Sequence, residues 1–96
     1  MEEVDILKKL ILQKLIRSNI WGGKHTPLDF ILKGVPNQYR NTSRGKRAIS
    51  EALKVLINAG FVMILMKRTG KDSDEHISLN PKKISEINQF LQNTVQ

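Results

Sequence analysis

From Glu3 to about Ser18 apolar side chains recur at Val4, Leu7, Ile11 and Leu15, with Ile6 and Leu10 widening the stripe. That spacing predicts a first helix with one face turned to a core. Leu12 and Ile16 fall roughly a quarter turn or more outside the stripe at about 100° per residue, so they are expected to meet a partner subunit. Two glycines, Gly22 and Gly23, then break the pattern. Thr26-Pro27-Leu28-Asp29 reads as a helix start, with Thr26 as cap, Pro27 as first helical residue and Asp29 as the acid three positions on. Leu28, Ile31 and Leu32 give this short second helix an apolar side, and Gly34 with Pro36 ends it.

A polar loop is expected from Asn37 to Ser43. A third helix follows from about Arg44 to Asn58, capped by Thr42 or Ser43 and stopped at Gly60. Ile49, Ala52, Leu53 and Leu56 form one face, while Arg44, Arg47, Ser50, Glu51, Lys54 and Asn58 gather on the other. The six-residue run Phe61-Val62-Met63-Ile64-Leu65-Met66 is too short for an independent helix and predicts a strand. Lys67 to Glu75 reads as a charged loop, and His76-Ile77-Ser78-Leu79 as the return strand of a hairpin. Asn80-Pro81 opens a last helix over about 81–92, with Ile84, Ile87 and Leu91 on one face. The expectation is one domain over residues 1–96, α+β and mostly α: three helices, a two-stranded hairpin and a C-terminal helix.

Charge changes this from a packing problem into a binding problem. The chain carries 16 Lys and Arg against 9 Asp and Glu, a net charge of +7. The excess concentrates between residues 20 and 60, and Arg40, Arg44, Lys46 and Arg47 stand within eight residues that hold no acid. Cations in the first turn oppose the helix dipole. They make sense where an anion is to be held, since a helix N-terminus already presents unpaired N–H groups. Nucleic acid is the polyanion such a surface attracts, by steering and counterion release. A membrane is not expected, because the basic stretch has no broad apolar face opposite it and no apolar run nears the roughly 20 residues of a span.

The stretch His25 to Pro81 resembles the winged helix-turn-helix family, and more loosely small archaeal transcription-regulator-like proteins of that fold. The resemblance rests on Lys24-His25-Thr26-Pro27-Leu28-Asp29, on the helix Lys46 to Ala59 running through Gly60 into Phe61-Val62, and on Ser78-Leu79-Asn80-Pro81. It implies that the third helix enters the major groove of duplex DNA, with Arg44, Arg47, Ser50, Glu51 and Lys54 facing the groove and Arg40 and Lys46 near phosphates. It further implies wing contacts through Lys67, Arg68 and Lys71. Here Asp72, Asp74 and Glu75 offset those charges, which sets this hairpin apart from a uniformly basic wing.

Other chemistry finds little support in the residues. The chain has no cysteine, so disulfides, thiolate nucleophiles and cysteine-based zinc sites are excluded. Gly23-Lys24 lacks the spacing of a phosphate loop, and Asp72-Ser73-Asp74-Glu75 lacks that of a calcium loop. No catalytic triad or cofactor loop is legible, so neither an enzyme nor a bound cofactor or metal is expected. His25 has no carboxylate cluster at a ligand spacing near it, His76 beside Asp74 and Glu75 reads as a solvated strand end, and Trp21 reads as a core plug. The acidic opening residues are unlike a secretory leader, and the expected setting is cytoplasmic. The leading expectation is a DNA-binding regulator of transcription, paired as a homodimer through the first and last helices. RNA or ribonucleoprotein binding is the first rival, and a protein-interaction module the second.

Overall fold

The structure, a computed structural model, describes residues 2–69 and 72–93, with 67–69 and 72–74 described by backbone alone. Helix α1 (Glu2–Arg17) is followed by a two-residue strand β1 (Thr26–Pro27), a short α2 (Leu28–Leu32), a single turn α3 (Asn37–Arg40) and the long α4 (Ser43–Asn58). Strands β2 (Val62–Thr69) and β3 (Asp72–Leu79) come next, then a 3₁₀ turn (Pro81–Lys83) and α5 (Ile84–Asn93). The chain is α+β and mostly helical.

Both long helices are held at their ends by local chemistry. In α1, Glu2, Glu3 and Asp5 occupy the first turn and Lys14 and Arg17 the last, matching the helix dipole at each end. It terminates where Asn19 takes φ +56° and the Ile20 N–H donates to the Leu15 carbonyl at 3.0 Å, a Schellman closure. Gly60 (φ +79°) does the same for α4, with the Phe61 N–H donating to the Leu56 carbonyl at 3.0 Å. At its start, Thr42 Oγ1 accepts from the Gly45 N–H at 2.9 Å and donates to the Gln38 carbonyl at 3.0 Å. One hydroxyl thus caps α4 and ties it to α3.

The sheet has three antiparallel strands in the order β1-β3-β2, where the sequence predicted a hairpin of two. β1 pairs Thr26 with Ile77 and Pro27 with His76, so Thr26 belongs to a strand and Pro27 itself is the N-cap of α2. The predicted loop 67–75 is largely strand: pairing runs without a bulge from Val62↔Leu79 to Thr69↔Asp72. Trp21 bridges Leu79 from the other side, with the Gly22 N–H donating to the Leu79 carbonyl and the Leu79 N–H to that of Ile20, both at 2.9 Å. The expected loop 37–43 contains the extra turn α3.

One apolar cluster joins these pieces. Val4, Leu7, Ile11, Leu12 and Leu15 of α1 meet Ala48, Ile49, Ala52 and Leu56 of α4, Ile31 of α2, Val62, Ile77 and Leu79 of the sheet, and Ile87 of α5. Leu12 is fully buried and Ile16 packs against the same cluster. The reading of Leu12 as surface left for a partner is therefore corrected, while Ile16 is half-buried. α1 is contacted by α4, α2 and β3, and neighbours on several sides bury a wider arc than one amphipathic stripe.

Candidate nucleic-acid interface

Helix α4 carries the candidate site because one side of it is committed to the core. Gly45, Ala48, Ile49, Ala52 and Leu56 are buried, while Ser43, Arg44, Lys46, Arg47, Ser50, Glu51, Lys54, Ile57 and Asn58 are exposed. At about 100° per residue, Arg47 and Lys54 stand nearly opposite Ala52 and form the crest of the exposed face. Arg44 and Glu51 fall on the flank nearer α1. There Arg44 lies 3.7 Å from Glu3 with its side chain 85% exposed, a solvated pair worth little. Among the described residues Arg47 and Glu51 form no ion pair, so the crest cations are not neutralised along their own helix.

On the opposite flank lies a groove of about 490 Å³ between α2 and α4. Leu32, Ile49 and Leu53 make its apolar floor; Lys33, Arg40 and Lys46 stand around it with Asp29 and Ser50. Arg40 is half-buried, and its Nη1 donates to the Lys33 carbonyl at 3.3 Å, which fastens α3 to the end of α2. The predicted residues are thus distributed over one surface. Arg47 and Lys54 lie on the crest, Lys46, Ser50 and Arg40 toward the groove, and Arg44 and Glu51 toward α1.

Lys33 joins this surface although sequence reasoning passed over it. Its signal was its place at the end of the second helix within the most basic part of the chain. Of the proposed wing contacts, Lys67 and Arg68 lie in β2, where the backbone register sets Lys67 opposite Asp74 and Arg68 opposite Ser73. Their side chains, and Lys71 entirely, fall outside the described residues.

Two other residues come together unexpectedly. His25 and His76, 51 positions apart, approach with their Nδ1 atoms at 2.9 Å and their rings edge to face, centroids 4.8 Å apart. Among the described residues no group of three or more His, Cys, Asp or Glu could hold a metal ion. No helix there is long and apolar enough to cross a membrane. Comparison of the chain with protein-family models, curated proteins and solved structures returns no match in any of the three.

Proposed function

We propose that this chain is a winged helix-turn-helix protein that binds duplex DNA by seating α4 in the major groove, as a regulator of transcription does. The observation that carries the reading is the exposed face of α4. Arg47 and Lys54 on its crest, with Lys46 and Arg44 on its flanks and Arg40 beside its N-terminus, form a convex cationic ridge on a rigid, core-anchored helix. A ridge of helical width fits a groove about 12 Å wide, where arginine and lysine pair with guanine edges and phosphates. The helix order and the sheet following α4 are compatible with that fold, in which β2 and β3 are the wing.

Anchoring supports the same reading. The Thr42 cap, the Arg40 link to the Lys33 carbonyl and the burial of Ala48, Ala52 and Leu56 hold the ridge to α2 and α3. Contact groups on a fixed element lose little entropy on binding.

Fluorescence anisotropy of labelled duplex DNA and matched structured RNA, across a salt series, tests the proposal. Duplex binding that weakens steeply with salt and falls away in Arg47→Ala/Lys54→Ala is expected. Preference for RNA would move the function to an A-form partner. Binding indifferent to both substitutions would remove α4 as the interface.

A further inference from the structure

We propose that His25 and His76 form a two-nitrogen site for a divalent late transition-metal ion, Cu²⁺ foremost and Ni²⁺ next, that clips β1 to β3. Two imidazole nitrogens from segments 51 residues apart meet at 2.9 Å. Both rings are half-buried, and among the described residues each has only the other as a hydrogen-bond partner.

The 2.9 Å separation is the hydrogen-bond distance of the metal-free pair; modest rotation of both rings would aim the two Nδ1 lone pairs at one ion about 2.0–2.1 Å from each. For imidazole nitrogens the general affinity order of divalent ions places Cu²⁺ highest, with Ni²⁺ below it. Water fills the remaining positions from the solvent side.

The proton inventory is simple. In the metal-free pair one Nδ1–H donates to the other ring's Nδ1. On binding, that proton moves to Nε2 of its own ring, both Nδ1 lone pairs face the ion, and a neutral pair loses no net proton. Ile77 and Leu79 turn to the core and Glu75 borders a groove with α4 residues. Strand alternation therefore sets His76 on the sheet face turned away from α4. The metal site and the proposed DNA interface are separate, and either can fail without the other.

An ion held only by the folded chain stabilises it by mass action. Thermal unfolding of the metal-free full chain with CuCl₂ is expected to show a Tm raised by roughly 5 °C or more at saturation. Electron paramagnetic resonance of the Cu²⁺-loaded protein should show hyperfine coupling to two imidazole nitrogens. His25→Gln and His76→Gln should each weaken Cu²⁺ at least tenfold, and the double variant should abolish the two-nitrogen signal. Zn²⁺ should bind at least tenfold more weakly than Cu²⁺. Circular dichroism without metal checks that the variants fold; if they do not, the wild-type spectrum decides alone. Absence of a two-nitrogen spectrum in the wild type, or its persistence in a folded double variant, would overturn the site, and equal affinity for Zn²⁺ would overturn the preference for Cu²⁺.

Discussion

Gly45, in the first turn of α4, lies directly against the backbone of Tyr39 in α3: a Cβ added there would overlap the Tyr39 carbonyl oxygen and Cα. Backbone cannot swing aside as a flexible side chain can. Gly45→Ala should therefore force α3 away from α4 and cost about 1–3 kcal/mol, the range of overpacked cores. Urea unfolding followed by circular dichroism measures this, and a loss under 0.5 kcal/mol would mean that α3 yields freely.

The cationic face of α4 should be graded from crest to flank. Arg47→Ala is expected to cost roughly 1–3 kcal/mol of duplex binding if it reads a base. Lys54→Ala should weaken all sequences alike and lower the salt slope by about 1 if it holds a phosphate. Arg44→Ala, on the α1 flank and near Glu3, should cost less than either. Anisotropy titrations at several salt concentrations separate the three.

Leu12→Ala should behave as a cavity mutation, because Leu12 is fully buried within the single chain. The expected loss is about 2–5 kcal/mol of stability, with no change in molecular mass in solution. Ile6→Ser, at an exposed position on the same helix, should stay within about 0.5 kcal/mol. Denaturant unfolding and light scattering of both variants make the comparison. A dimer that dissociates with Leu12→Ala, its monomer remaining folded, would contradict the burial argument.

Asn80 joins three elements with one side chain. Its Oδ1 accepts from the Lys82 N–H at 3.0 Å and its Nδ2 donates to the Gly60 carbonyl at 2.9 Å. Asn80→Ala loses both and should cost about 1–2 kcal/mol. Asn80→Asp keeps the cap but sets a carboxylate against a carbonyl oxygen, so it should recover only part of that loss. Thermal unfolding at neutral pH ranks the three proteins.

What was legible in the sequence followed local chemistry. The stripe of Val4, Leu7, Ile11 and Leu15 marked α1, Thr42 or Ser43 and Gly60 marked the limits of α4, and Asn80-Pro81 marked the last helical segment, which begins as a 3₁₀ turn before α5 starts at Ile84. What was hidden depended on partners distant in the chain. Two residues, Thr26 and Pro27, are too few to show strand alternation, so β1 exists only because Ile77 and His76 lie beside it. Leu12 read as surplus because periodicity counts one buried face, whereas α1 meets neighbours on several. The charges of α4 were evident as a class, but their division between crest, α1 flank and α2 groove depends on packing. No spacing rule could bring His25 to His76.

The strand order β1-β3-β2 also sets a schedule for synthesis. β3 lies at the centre of the sheet yet is its last strand to leave the ribosome, about 50 residues after β1. Until it arrives, β1 has no strand to pair with and the core lacks Ile77 and Leu79, both fully buried. Such long-range closure slows folding relative to a purely helical chain. A chain released after Thr69 would leave Val62 to Met66 without the strand that pairs with it, a segment that chaperones would need to shield.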